Sequence, residues 1–434
     1  MSRLGAVFGE DADVLENRNF QLLLLGSLCS PIGESAVSPV LDTLAGPYGV
    51  GVARVSLLMA VYTAPAIVVI PLVGLLSDKY GRRPVLAAGL TLLGVAGLGL
   101  PFTTDFRVAL ALRALQGIGY CGTGPVLITS VGDIFSGDRE ATAQGVRFTV
   151  VSAALGGFPL LAGLLVGVSW RAPLFLFAVT LPVAGAVLLF MQEPTAEVRP
   201  GARPEEACTD GGDEGAEAAA STEEITLREA LKSPGLLALL VGRGTPGLLW
   251  FAFLSYASVV VVRLLGGTPA GAGALVAVAS AAAGVGSTQV GRLSATSDSR
   301  FAPMVGTGAV AGLGVAAVAL APSLLVAGIG AAVFGAAFSI VLSLYRSTIT
   351  TRSPDAVRGT VVSLGESVGR LGSTLGPVLT GAIIAGGTVT FGFEAAVRLA
   401  LLATVVLSVG LSAGCLVVAS RTGLLDSGAD GASA

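Results

Sequence analysis

Histidine is missing from this chain of 434 residues, lysine stands only at Lys79 and Lys232, and charged residues make up just 12%. Without histidine the commonest metal ligand and general base is gone. The four cysteines, Cys29, Cys121, Cys208 and Cys415, are too scattered for a Cys-x-x-Cys pair, so neither a zinc site nor a disulfide framework follows from them. Three of them read as small apolar helix residues. The Gly-x-x-x-x-Gly-Lys-(Ser/Thr) loop that cradles nucleotide phosphates is absent, which removes ATP drive. An enzyme, a resident cofactor and a metal therefore have no support. A formal net charge of −3 offers no basic surface for nucleic acid. Aromatics at 6% leave few stacking platforms for flat sugars or dyes, although Phe20, Phe148, Phe158, Trp250, Phe251, Phe253 and Tyr256 can supply an apolar wall.

What the chain has in plenty is apolar length. Hydrophobic residues make up 53% and the mean hydropathy is +0.83, whereas soluble domains carry roughly a quarter charged residues. Stretches able to cross a bilayer, which takes ~20 residues at ~1.5 Å each, run over 20–44, 53–77, 84–103, 107–132, 142–166, 172–191, 235–262, 270–293, 302–320, 323–349, 358–385 and 391–419. These twelve spans predict an all-α membrane protein. The longest polar interruption, 192–232, holds Pro200-Gly201-Ala202-Arg203-Pro204 and an acidic run from Asp210 to Glu224, too polar to pack. It divides the chain into an N-terminal six-helix bundle (1–191), a linker (192–232) and a C-terminal six-helix bundle (233–434). The first 19 residues carry Glu10, Asp11, Asp13 and Glu16 and lack a cleavable apolar segment, so the first span is expected to stay in the mature protein.

Arginine and lysine mark one side. Lys79, Arg82, Arg83, Arg139, Arg147, Arg199, Arg203, Arg228, Lys232, Arg292, Arg300, Arg346, Arg352, Arg358 and Arg421 fall on alternate loops or their edges, against Arg54, Arg107, Arg171 and Arg263 on the others. By the positive-inside rule both termini and the linker are cytoplasmic in a multi-pass protein of the cell membrane. The halves also repeat. Pro31 and Pro246 are 215 residues apart, Gly74 and Gly291 217, and Gly145 and Gly359 214, a shared offset that points to duplication of a six-helix unit.

After span 2 the chain reads Gly74-Leu75-Leu76-Ser77-Asp78-Lys79-Tyr80-Gly81-Arg82-Arg83-Pro84. This run resembles the loop 2–3 signature of the major facilitator superfamily at every position. A basic loop kept for topology alone would explain Lys79, Arg82 and Arg83, but not the two glycines and Asp78 at this spacing. Arg113-Ala114-Leu115-Gln116-Gly117 in span 4 is similar to that family's Arg-x-x-Gln-Gly, and Trp170-Arg171-Ala172-Pro173 enters span 6 as the family's chains do. The resemblance implies two pseudo-symmetric six-helix bundles rocking about a central cavity, with a small-molecule substrate, protons as coupling ion and the lipid bilayer as the partners of a monomer. It also implies that Asp78 meets the N-terminus of helix 11 and latches the inside closed, helped by the helix dipole. Gly74 and Gly81 would let the bundles approach, and Arg82 and Arg83 would bridge carboxylates or lipid phosphates. The second copy, Gly291-Arg292-Leu293-Ser294, has Ala295 where the acid should stand, so one latch is expected.

Ionisable groups inside the membrane cost at least ~2.5–3.5 kcal/mol at its centre, so each needs a reason. Glu34 in span 1 and Arg113 in span 4 both come out ~9 Å below the outer face, counted from opposite ends of their spans. They are expected to face each other or share the substrate, either as a proton-coupling pair or as a fixed ion pair. Arg243 and Glu366 both lie ~12 Å from the inner edge, and Arg370, one turn beyond Glu366, is expected to pair with it along the helix. Glu394 and Arg398 form a second expected local pair. Asp42, Asp133, Arg147, Arg263 and Arg346 near span ends read as snorkelling or capping residues. Spans 1 and 7 are interrupted at equivalent places, by Ser30-Pro31-Ile32-Gly33 and by Gly242-Arg243-Gly244-Thr245-Pro246-Gly247, either as plain kinks or to free backbone groups toward a midplane site.

Span 5 carries Gly157-Phe158-Pro159-Leu160-Leu161-Ala162-Gly163, which resembles the Gly-Pro-x-x-Gly-Gly signature of proton-coupled drug antiporters, with Phe158 inserted and Ala162 in place of a glycine. Of the longer signature that sugar porters carry after span 6 only Glu193-Pro194 remains. Proton-coupled efflux of a small organic solute is the expectation; a uniporter or symporter for a small metabolite, and a membrane sensor without transport, are the alternatives.

Overall fold

The computed structural model describes residues 14–193, 232–295, 299–354 and 357–425. Cys208, the basic residues Arg199, Arg203 and Arg228, the acidic run from Asp210 to Glu224 and the carboxylates Glu10, Asp11 and Asp13 lie outside them, as does the side chain of Ala295.

Among the described residues eleven helices are long and apolar enough to cross a bilayer: α1 Arg18–Ala45, α2 Val52–Tyr80, α3 Arg82–Phe102, α5 Arg139–Leu165, α6 Ala172–Phe190, α7 Pro234–Leu264, α8 Pro269–Ser287, α9 Phe301–Leu320, α10 Leu324–Arg352, α11 Arg358–Phe391 and α12 Phe393–Arg421. The remaining crossing, α4, comes in two pieces, Phe106–Cys121 and Gly124–Ile134. The sequence reads it as one uninterrupted span; Pro125 at the start of the second piece has no N–H to give to a continuous helix, so the chain turns at Gly122-Thr123 instead. Several starts are capped where a side-chain oxygen meets orphan amides: Asn17 caps α1, Asp105 α4, Ser233 α7, Thr268 α8 and Ser323 α10.

Both expected interruptions are present. In α1 the first helix stops at Cys29, resumes over Ile32–Ser35 and passes through a 3₁₀ turn at Ser38–Val40. In α7 the break falls at Arg243, between Pro234–Gly242 and Gly244–Val259, and a π-helical turn follows at Val260–Leu264. Pro31 and Pro246 thus occupy matching kinks of the two halves. The other repeat landmarks share surroundings too, since a Cβ on Gly74, Gly145, Gly291 or Gly359 would have no atom within 4 Å.

The apolar core is arranged unequally along the membrane normal. At the end away from the termini a single cluster runs across both bundles, from Ile32, Leu58 and Phe177 to Phe253, Phe334 and Leu401. Toward the termini it splits into a cluster of the first bundle around Phe20, Leu90 and Leu127 and a separate one of the second around Leu239, Tyr345 and Leu416. The bundles are therefore welded at the far end and parted at the end where α1 begins and α12 stops. Small residues set the closest approaches: a Cβ on Gly372 in α11 would lie 2.0 Å from the Gly244 carbonyl oxygen of α7, and one on Gly273 in α8 2.2 Å from the Pro159 carbonyl oxygen of α5.

Gly372→Ala forces the α7 and α11 backbones apart and should cost about 1–3 kcal/mol, as overpacking does, whereas Gly359→Ala, with open space at its Cβ, should be neutral or stabilising. Thermal unfolding of the two detergent-solubilised variants compares them directly; equal midpoints would mean that the contact at Gly372 yields easily.

Candidate functional site

Where the bundles part, a cavity of about 250 Å³ lies between them, walled by α1, α4, α5, α7, α8, α10 and α11. Phe148, Arg243, Ser287, Arg346 and Glu366 of its wall each lie within about three turns of that end, and Glu34 lies deeper, past the middle of α1. Of the predicted cavity residues it takes Glu34, Arg243, Glu366 and Arg370. Pro31, Gly33 and Arg113 stand behind its wall, and Pro246 lines a separate small apolar pocket with Leu249 and Phe334. Phe148, Trp250 and Phe251 supply the apolar side, while Phe20, Phe158, Phe253 and Tyr256 are buried in the helix packing.

The expected ion pair between Glu34 and Arg113 is not formed. Arg113 is fully buried and donates to the carbonyl oxygens of Gly33 (2.8 Å) and Leu58 (2.9 Å) and to Gln116 Oε1 (2.8 Å), with its guanidinium 4.4 Å from the centre of the Tyr62 ring. The reason is local. The break after Ser35 leaves the Gly33 carbonyl without a helical donor, and Arg113, with five N–H donors to satisfy in a buried site, supplies one. Gly33 must be glycine here, because a Cβ would enter the Tyr62 ring at 2.4 Å. Glu34 is left at the cavity wall with Arg370 and Arg113 as the cations whose field reaches it, and among the described residues no side chain hydrogen-bonds its carboxylate.

Glu366 does pair, but not along its own helix. Arg243 of α7 reaches its two oxygens at 3.0 and 3.1 Å, and Arg346 of α10 at 2.7 and 3.0 Å, so one carboxylate clasps three helices of the second bundle. Arg370 turns away from Glu366 and donates instead across the cavity to Tyr120 Oη of α4 at 2.8 Å. Arg346, read from sequence as snorkelling, is half-exposed to the cavity and bound to Glu366. Tyr120 was missed; it lies seven residues after Arg113, two turns on along one helix face, and that spacing is the signal that could have found it. Arg398 likewise donates to the Ala319 carbonyl rather than to Glu394. The run Gly365-Glu366-Ser367-Val368-Gly369 spells Gly-x-Ser-x-Gly, but it lies mid-helix in a chain without histidine and makes no nucleophile elbow.

Polar bonds between the bundles gather at the far end. Asp42, nearly buried, takes the Arg263 guanidinium at 3.0 Å, Ser38 Oγ donates to the Leu254 carbonyl at 2.6 Å, and Tyr256 Oη donates to Ser56 Oγ at 2.9 Å. Asp42 and Arg263 are thus partners rather than a snorkelling pair of span ends.

The loop after α2 is bound within its own bundle. Asp78 is largely exposed and pairs with Arg82 at 2.6 Å, and Arg82 also reaches Asp133 of α4 at 2.9 Å. Gly81 takes φ +95°, a conformation that favours glycine, and a Cβ there would strike the Glu193 carboxylate at 2.6 Å. That carboxylate accepts from the backbone N–H groups of Arg82 and Arg83 and so caps α3, while the Arg83 side chain donates to the Leu188 carbonyl. Lys79 lies over the Tyr80 ring. The expected latch on helix 11 is not engaged here, and nothing stands within 4 Å of a Cβ on Gly74, because the bundles are apart at this end.

The family model described as Major Facilitator Superfamily matches residues 23–377. The chain is 33% identical over 153 residues to the bacillibactin exporter of Bacillus subtilis (strain 168), 34% of this chain and 38% of that protein. It is 29% identical over 183 residues to the multidrug transporter MdfA of Yersinia pestis bv. Antiqua (strain Angola), 41% of this chain and 44% of that one. The matches therefore span less than half the length of either relative. The fold is similar to that of a bacterial homolog to the human lysosomal transporter Spinster in its inward-facing and occupied conformation, with a TM-score of 0.76 over 94% of this chain and 97% of that one at 18% identity.

Removing Glu366 strands Arg243, which is only 4% exposed. Glu366→Ala should therefore cost about 3 kcal/mol of stability, in the range for breaking a buried pair, and Arg346→Ala under about 1 kcal/mol, since its side chain is half in solvent. Chemical unfolding in detergent reads both, and equal losses would count against the clasp. At the other end, Asp42→Asn should raise labelling of a cysteine placed at Ser38 from the far side by several-fold; unchanged labelling would show that Arg263 does not hold that end shut.

Proposed function

This chain belongs to the major facilitator superfamily, and on that premise we propose that it is a secondary active transporter carrying a small organic solute out through the cell membrane by alternating access, with protons as the coupling ion. The observation that carries the reading is the cavity between two bundles that share one core at the far end and none at the other. A site closed on one side and open on the other is one of the two states that alternating access requires. The relative named an exporter supports the outward direction.

In this reading residues 1–191 and 233–434 are the rocking units and 192–232 tethers them. The arginine-rich ends put the termini, the tether and the cavity mouth in the cytoplasm, so the described state is inward-facing. Glu34 is the protonation site: a carboxylate on the cavity wall without a donor can change charge without breaking the fold. Arg243, Glu366 and Arg370 shape the polar wall, Pro31, Gly33 and Pro246 set the kinks behind it, and Arg113 holds the broken α1. When the inside closes, Asp78 leaves Arg82 for the α11 N-terminus, with Gly74, Lys79, Gly81, Arg82 and Arg83 forming the loop that moves. The protein acts as a monomer.

A second reading, symport of a small metabolite, has one observation in its favour: three arginines face two carboxylates in the cavity. Antiport fits a cation that competes with the proton; symport fits an acid.

Reconstitution into vesicles containing a pH-sensitive dye, followed by a panel of cationic, neutral and anionic solutes, tests the proposal. Solute addition should move protons, and Glu34→Gln should abolish transport driven by a pH gradient while leaving solute exchange without a gradient within about threefold. Gradient-driven transport by the Gln variant at the native rate would take the coupling role from Glu34, and a panel in which nothing moves would end the transporter reading.

A further inference from the structure

We infer that the solute is an organic anion with a flat apolar body, in its simplest form an aromatic carboxylate, lying with its ring on Trp250 and Phe338 and its acid toward Arg370. The inference rests on the reading of the central cavity as the solute's path.

Charge is the first support. Glu34, Arg243, Arg346, Glu366 and Arg370 are the ionisable groups among the arginine and carboxylate side chains of the wall, an excess of one positive charge when all are ionised. Arg243 and Arg346 are engaged with Glu366, whose two oxygens take four hydrogen bonds from them. Arg370 is different. It gives one N–H to Tyr120 Oη at 2.8 Å, its guanidinium lies 5.1 Å from the centre of that ring, and among the described residues no carboxylate stands at ion-pair distance from it. A guanidinium has five N–H donors in a planar fork that matches a carboxylate. A cationic solute would meet three guanidinium groups and two carboxylates, one of which is already engaged by two of the arginines.

Hydrogen-bonding capacity is the second. Arg243 and Ser280 line the cavity, are 4% and 3% exposed, and have a buried polar atom without a partner, Nε of Arg243 and Oγ of Ser280. Leaving such groups unmatched is costly, and an N–H can be satisfied only by an acceptor. A carboxylate is acceptor-only, while an ammonium has none to offer.

Shape is the third. Trp250 and Phe338 are stacked with ring centres 4.5 Å apart and 15° between planes, and both line the cavity with Phe148 and Phe251. The volume of about 250 Å³ is below the usual range for drug-sized ligands, roughly 300–1,000 Å³, and suits a body of one or two rings.

Glu34 bears on the same site. Glu34 is faced by Arg370, Arg113 and Tyr62, and each proton it takes removes the one free negative charge from the solute's surroundings. A neutral Glu34 therefore leaves Arg370 a stronger pull on the acid.

Calorimetric titration of the full chain in lipid nanodiscs with 2-naphthoate, 2-naphthylmethanol and (2-naphthylmethyl)trimethylammonium tests the inference on the unaltered protein. The acid should bind at least tenfold tighter than the other two. Arg370→Gln should weaken the acid at least tenfold and the alcohol less than twofold, Arg370→Lys should recover part of the loss, and Phe338→Ala should weaken acid and alcohol alike. Equal or tighter binding of the alcohol or the ammonium, no binding of any probe, or acid affinity unchanged in a folded Arg370→Gln protein would each overturn it. In vesicles, movement of the ammonium but not the acid would end the anion inference and leave the transporter standing. Tight binding of the acid with no solute moving would do the reverse.

Discussion

Hydrocarbon offers a polar group no partner, so whatever is freed or charged within the bilayer must be answered by the protein itself. The fold is organised around that requirement. Breaking α1 orphans the Gly33 carbonyl, and Arg113, which no lipid could accept, reaches it together with Leu58 and Gln116. Three helices are thereby tied at one buried guanidinium, and the tie leaves Glu34 clear of it at the cavity wall. A charge and a backbone defect that would each be prohibitive alone are tolerable as a pair.

The same requirement acts on the second bundle with a different solution. There the carboxylate of Glu366 answers two arginines from neighbouring helices, and Arg370 is released to cross the cavity toward Tyr120. The two halves share kinked first helices, yet their polar ties are unlike. That asymmetry places the arginines of the second bundle on one wall of the cavity and the carboxylate of Glu34 on the other.

Rocking also needs unequal adhesion. The far end joins the bundles by a continuous apolar core and by Asp42–Arg263, Ser38–Leu254 and Tyr256–Ser56, whereas at the termini end the loop after α2 is bonded inside its own bundle through Arg82 and Glu193. Contacts that can be exchanged one set for another let the cavity change sides without unfolding a helix. Small residues at the α5–α8 and α7–α11 crossings keep the backbones close enough for such sliding to leave no voids.

The order of residues by itself determined the crossings, their hydrophobic length, the loop signature and the kinks at Pro31 and Arg243, because each depends on local composition or on chain geometry within one helix. Depth was legible as well: counting rise per residue put Arg243 and Glu366 at one level, and they meet. Partner choice was not. Depth says nothing of the angle at which a helix presents a side chain or of which neighbour it faces, so Arg370 with Tyr120, Arg346 with Glu366 and Arg263 with Asp42 could be decided only when twelve helices had packed. Arg113 shows the reason most plainly, since its acceptors are backbone carbonyls, groups that every residue carries and that no sequence pattern can single out before the chain breaks there.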